Sequence, residues 1–210
     1  MLRSIDFATL LQYSPKGESD AAKKFRLVRD DVKAGRIDHM KERIRERIME
    51  YHALLDPFLN AGVTLIPIPR SSPIRKASLW PSLEIAKMLS GFGRGTIATC
   101  LTRQTPVKKA AFCVDAEDRP TVSLHYDSFG VEGMISTNQI TLVDDILTQG
   151  RTAMAAGSRL AERFPNASIR LFCLLWTRGL DKDVDIDTML NVQVKKIRYN
   201  TANGKCWIKQ

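Results

Sequence analysis

The sequence predicts an α/β fold, an open and mainly parallel sheet flanked by helices, and three observations predict it. Residues 138–159 read as strand, loop and helix: residues 140–143 are a β-branched and apolar run, Asp144 and Asp145 end it, Gly150 falls in a turn, and Thr152 opens a stretch of helix formers. Residues 63–69 and 169–176 are two further apolar runs of strand length, the second as continuous as parallel strands covered on both faces tend to be. Residues 37–55 carry Ile37, Met40, Ile44, Ile48, Tyr51 and Leu55 at three- and four-residue spacing, with Glu and Arg on the opposite face, which is the pattern of an amphipathic helix.

From the N-terminus, residues 5–11 are apolar, residues 14–19 are a polar turn region, and Lys23, Lys24, Arg26, Arg29, Lys33 and Arg36 form a basic run at helical spacing, read as a solvated face. Residues 1–60 are therefore expected to form an N-terminal helical segment. Asp38 is the expected N-cap of the helix over 37–55, and Pro57 stops it. A helix that pairs two copies of the chain in a homodimer would show the same stripe. Gly62 leads into the strand over 63–69, which its own prolines terminate. Arg70, Ser71, Ser72, Arg75 and Lys76 then make a basic, hydroxyl-rich loop before a helix over about 79–89. Residues 96–101 read as the second core strand, with Arg103 just past its end. Residues 110–114 and 121–126 flank a charged turn and suggest a hairpin, with Lys108 and Lys109 at its base. In the helix over 153–164, Ala153, Ala155, Ala156 and Gly157 permit close packing on the sheet, and Pro165 ends it. After the strand over 169–176 come an acidic stretch at 181–187, a strand-like alternation at 192–199 and the turn signal Asn203-Gly204. The core is thus expected over 61–180, with a hood or tail over 181–210.

A chain of 210 residues suffices for one α/β domain with a good core, or a domain plus a small accessory element. Cys100, Cys113, Cys173 and Cys206 show no C-x-x-C spacing and read as core residues of a reducing compartment. His39, His52 and His125 are too scattered to propose a metal site built from protein ligands alone. No leader pattern opens the chain and no window approaches the roughly 20 apolar residues that span a bilayer, so a cytoplasmic protein without a membrane partner is expected. The net charge of +9 is uneven: residues 1–60 carry +2, residues 61–110 carry +7, and residues 111–210 carry none. A ligand bearing phosphate and pyrophosphate explains that local field, and a nucleic acid would explain it equally.

The loop after residue 143 has the chemistry of an anion site. In an open parallel sheet it sits at the carboxyl edge, and the next helix directs unpaired N–H groups into it. Thr148 and Thr152 add hydroxyl donors, and Gly150 lets the backbone approach a phosphate. Asp144 and Asp145 would repel that phosphate, so they must face hydroxyls or a metal. A phosphate with vicinal hydroxyls nearby is a ribose 5-phosphate.

The run Leu-Val-Asp-Asp-Ile-Leu-Thr-Gln-Gly-Arg-Thr resembles the phosphoribosyl pyrophosphate (PRPP) signature of type I phosphoribosyltransferases. The resemblance implies that Asp144 and Asp145 hold the ribose hydroxyls in the catalytic site, and that Thr148, Gln149, Gly150, Arg151 and Thr152 hold the 5-phosphate. It also implies that the loop after the strand over 63–69 receives pyrophosphate, with Arg70, Ser71 and Ser72 as candidates. A flap over 106–130 would close on the leaving group, adding Arg103, Lys108 and Lys109. Magnesium would be bound mainly through PRPP. Ile66-Pro67-Ile68-Pro69 and Leu101-Thr102-Arg103-Gln104-Thr105-Pro106 are similar to the competence-associated branch of that family, but its Arg-Gly-Phe-Asn segment and cysteine-rich zinc element are missing. Gln149 stands where the family usually has Thr or Ser. The resemblance therefore implies a phosphoribosyltransferase with an unidentified acceptor. The other class to weigh is a non-catalytic regulator or defence-type effector that binds nucleic acid or a protein partner.

Overall fold

The computed structural model of the chain describes residues 1–73, 78–108, 119–135, 137–178 and 185–208. Its sheet comprises β1 (Ser4–Tyr13), β2 (Thr64–Pro67), β3 (Thr96–Ile97), β6 (Gln139–Leu147), β7 (Ser168–Thr177), β8 (Gln193–Asn200) and β9 (Lys205–Ile208), in the order β3-β2-β6-β7-β1-β8-β9. The first five in that order run parallel, and β8 and β9 close one edge as an antiparallel pair. β4 (Leu101–Arg103) and β5 (Phe129–Val131) form a separate two-stranded antiparallel sheet.

Successive strand residues point to opposite faces, so one apolar run feeds two cores. Leu65, Val143 and Leu174 pack with α1 (Asp20–Lys33), α2 (Lys41–Glu50) and α4 (Pro81–Gly91) through Phe25, Ile44, Ile48, Ile85 and Leu89. Ile66, Leu142 and Cys173 pack on the other side with α6 (Arg151–Arg163) and α5 (Val122–Asp127) through Ala153, Leu160 and Val122. That division follows from connection handedness. The crossover through α4 leaves β2 toward β3, whereas α6 leaves β6 toward β7. Right-handed crossovers running in opposite directions land on opposite faces. Adjacent strands β2 and β6 therefore flank a topological switch point, the place in an open α/β sheet where a crevice opens at the carboxyl edge.

Several expectations are corrected. The segment over 1–60 opens with a strand: β1 lies between β7 and β8, and Phe7, Ala8, Leu10 and Leu11 are buried, so neither period marks this run in the sequence. The helix over 37–55 is realised as a single turn at Asp38–Met40, α2, and the four-residue α3 (His52–Leu55), interrupted at Tyr51, and Asp38 makes no capping side-chain bond. Residues 96–101 split between β3 and the separate sheet containing β4. Residues 121–126 contain α5 and not a strand, because the Thr121 side chain accepts from the Leu124 N–H at 3.2 Å and Val122 and His125, three apart, share the buried side. The rest of the expected hairpin, residues 109–118 with Lys109, lies outside the described residues, as do Arg75 and Lys76. The strand expected over 192–199 and the turn at Asn203-Gly204 are present: β8 and β9 continue the main sheet and turn near Gly204. Among the described residues no helix is long and apolar enough to cross a membrane.

Candidate functional site

β6 runs past the acidic pair to Leu147, pairing Asp144 with Cys173 and Ile146 with Leu175 of β7. The carboxylates are therefore held by the ladder itself at its upper end. Ser82, on the first turn of α4, donates to Asp144 Oδ1 at 3.2 Å, and the Asp145 N–H donates to the same oxygen at 3.0 Å. The Ile146 N–H donates to Asp145 Oδ1 at 2.9 Å. Withdrawal from water, then the neighbouring Asp145 carboxylate, raise the Asp144 pKa well above the ordinary value. Two acids that crowd each other in this way are poised to meet hydroxyls or a cation.

The chain then turns through Thr148 and Gln149, both exposed, into Gly150, which caps α6 at φ +79°. A Cβ on Gly150 would lie 2.6 Å from Ile197 Cδ1 of β8, so both the backbone angle and the packing require glycine here. Thr148 Oγ1 stands 3.4 Å from Thr177 Oγ1 at the end of β7. The Arg151 guanidinium turns to the 119–120 segment, where its Nη1 donates to the carbonyls of Arg119 (3.1 Å) and Pro120 (3.3 Å). Thr152 Oγ1 lies 3.4 Å from His125 Nε2 on α5.

These groups line one pocket of about 120 Å³: Asp144 and Ile146 to Ala153 on one side, Arg119, Pro120 and His125 on the other. All five residues assigned to the phosphate loop, and Asp144, come together there. His125 is buried, and burial, then Arg103 and Arg151, push its pKa down to about 4, so at neutral pH the imidazole is uncharged.

The pyrophosphate candidates divide. Arg103 is buried; its Nε donates to the Arg70 carbonyl at 2.9 Å, its Nη1 donates to Ser128 Oγ, and its guanidinium lies 3.8 Å from the Phe129 ring centroid. Burial lowers its pKa to about 10 against the opposing pull of Asp144, which couples this arginine electrostatically to the acidic pair. The Arg70 Nη1 donates to the Leu79 carbonyl at 2.9 Å, Ser71 is tied in by the Val107 N–H donating to its carbonyl at 2.7 Å, and Ser72 and Lys108 are exposed. Arg103 and Arg70 are thus hydrogen-bonded into one ledge on the β2 side of the switch point, and the adjacent Ser71 is bonded to Val107. Among the described residues no group of three or more His, Cys, Asp or Glu is arranged to hold a metal.

Ser82 and Arg119 are site residues that sequence reasoning missed, and His125 was read as packing within the flap. Ser82 and Arg119 carried no motif, and His125 sat in a stretch whose period was read as a strand. The chain matches no protein-family model, and no curated protein is significantly similar to it.

Proposed function

We propose that this protein is a phosphoribosyltransferase-like enzyme that binds PRPP and transfers its ribose 5-phosphate to an acceptor with release of pyrophosphate. One juxtaposition supports the reading above all: a carboxylate pair at the β2/β6 switch point, followed directly by a hydroxyl- and glycine-bearing loop at the N-terminus of a 13-residue helix, with Asp144 of the pair and the loop lining one pocket. In the reaction the acceptor's lone pair forms a bond to the anomeric carbon as the bond to pyrophosphate breaks, and pyrophosphate leaves with the bonding electrons. Positive charge builds on the ribose, and Asp144 and Asp145 supply a negative field beneath it. Thr148 to Thr152 fix the far end of the sugar, which converts binding into orientation. The oxygen pair Asp144 and Asp145 fits a hard divalent ion, because a cation would compensate the burial and then the Asp145 charge that raise Asp144. Magnesium would be held mainly by the oxygens of PRPP, with the two carboxylates as the acidic groups near it, and would supply charge neutralisation for the leaving group.

The test is release of pyrophosphate from magnesium PRPP in the presence of a metabolite extract, with the product identified by mass. Asp144→Asn combined with Asp145→Asn should lower turnover by roughly a hundredfold or more without lowering the urea midpoint. Absence of both PRPP binding and extract-dependent release would overturn the reading.

A second reading has support of its own. Gln149 lines the pocket in place of a hydroxyl residue, and residues 61–110 carry a net +7. On that reading the pocket is retained as a PRPP sensor and the basic surface binds nucleic acid or a protein, without catalysis.

A further inference from the structure

Buried N–H groups without an acceptor are rare, and each costs free energy unless a ligand or water completes it. Among the described residues five buried side-chain atoms lack a hydrogen-bond partner: Thr9 Oγ1, Arg47 Nε, Arg119 Nε, His125 Nδ1 and Arg151 Nε. Three of the five belong to residues that line the pocket under the α6 N-terminus. His125 is only 8% exposed, and its other ring nitrogen already faces Thr152 of the phosphate loop. The Arg151 guanidinium is tied to the backbone carbonyl of Arg119, and both arginines line the pocket.

We propose that His125, Arg119 and Arg151 form a second wall of the phosphate site, in which His125 Nδ1 and the two arginine Nε groups donate to the oxygens of a phosphate monoester seated at the α6 N-terminus. The loop supplies one hemisphere of donors, from the Thr148 hydroxyl and the first α6 amides, while the Thr152 hydroxyl donates to His125 Nε2 and so holds the Nδ1–H tautomer. The α5 side supplies the other. A tetrahedral dianion has the acceptor capacity for both hemispheres, whereas a planar carboxylate has too few oxygens. The pocket holds about 120 Å³, roughly four times the share of one liquid water, which is room for one such group. This assignment deepens the phosphoribosyl reading and rests on it only for the identity of the ester; the donor wall is independent of ribosyl transfer.

The probes are inorganic phosphate, ribose 5-phosphate, magnesium PRPP and acetate, titrated into the full chain carrying ¹⁵N-labelled histidine. The expected result is a shift of the His125 ring nitrogens with the three phosphates and not with acetate, while His39 and His52, far from the pocket, stay still. His125→Ala and Arg119→Ala should each weaken ribose 5-phosphate roughly tenfold. His125→Asn, which keeps an N–H near the Nδ1 position, should retain more affinity than His125→Gln, which keeps one near Nε2; a merely structural histidine would not make that distinction. Lys33→Ala, on α1, removes a charge of the same sign outside the pocket and should change nothing. A silent His125 ring in the native protein, or variants that bind ribose 5-phosphate as tightly as the native chain, would overturn the proposal even if PRPP binds. Phosphate and ribose 5-phosphate bound through His125 with no PRPP binding or turnover would leave the donor wall standing and remove the ribosyl-transfer reading instead.

Discussion

Asp144 and His125 line the same pocket, and their pKa values are displaced in opposite directions, Asp144 upward and His125 down to about 4. The sign of each stability contribution follows. Asp144 binds more protons folded than unfolded from its ordinary 3.8 upward, so its contribution to stability declines as pH rises through that window. His125 binds fewer protons folded than unfolded between its ordinary 6.5 and about 4, so its contribution is complete above 6.5 and is lost as pH falls toward 4. Asp144→Asn keeps an acceptor for Ser82 and for the Asp145 N–H. It should therefore raise the urea midpoint at neutral pH and weaken PRPP binding, a trade of function against stability. His125→Gln should flatten the acid side of the stability profile. Urea midpoints for both variants between about pH 4 and pH 8 check this. An Asp144→Asn protein less stable than the native chain at neutral pH would mean that the ionised carboxylate, with Ser82 and Arg103 near it, is the stabilised form. The acidic pair was legible in the sequence because its chemistry is local, lying with the loop that follows it in one run from Asp144 to Thr152. Ser82, Arg119 and His125 were not, because each reaches the site from a different element.

At the scale of elements, the loop depends on a glycine and the donor wall on a short helix. Gly150→Ala imposes a left-handed angle on an L side chain and drives its Cβ against Ile197, so it should destabilise the protein by about 1–3 kcal/mol. Pairing it with Ile197→Ala should recover only the steric part, and full recovery in the double variant would show that the angle itself carries no strain. α5 has six residues and is held at its start by Thr121. Thr121→Ala should cost roughly 1 kcal/mol. Because α5 carries His125, it should also weaken ribose 5-phosphate binding, which calorimetry would detect; unchanged affinity would mean that α5 is positioned by its packing on α6 alone. These elements also show where sequence reading stops. The strands β2 and β7 and the helices α4 and α6 stand close to the expected boundaries, since long apolar runs and small-residue helices leave one reading, whereas β6 continues through the acidic pair that was expected to end it. α5 is too short for its period to be told from a strand, and its helical state is decided by a cap and by α6. β1 was ambiguous for the opposite reason: it is buried on both faces, so no alternation marks it.

At the scale of the whole molecule, the chain spends its two ends on the sheet. β1 and the β8–β9 hairpin extend it beyond β7, and Ile197 of β8 lies against Gly150, so the C-terminal strands brace the loop that leads into α6. The excess positive charge lies elsewhere, in residues 61–110, which lead from β2 through the Arg70–Arg103 ledge. Enzyme and nucleic-acid readings make different demands on that charge. A surface that neutralises several nucleic-acid phosphates releases their counterions, so its log affinity falls steeply and linearly with log salt. A pocket fitted to one sugar phosphate responds to competing pyrophosphate more than to ionic strength. The ledge also offers little for stacking bases: Arg103 is buried over Phe129, and Trp80 is buried with its indole N–H donating to the Ile68 carbonyl at 2.8 Å. We therefore expect magnesium-dependent PRPP binding that pyrophosphate displaces and that loses less than tenfold between about 50 and 200 mM salt, with DNA and RNA bound far more weakly. Labelled single- and double-stranded DNA and RNA, and separately PRPP with magnesium, titrated across that salt series, give the measurement. Tight nucleic-acid binding with a steep salt slope and no affinity for PRPP would assign the basic segment to the second reading and remove the enzyme.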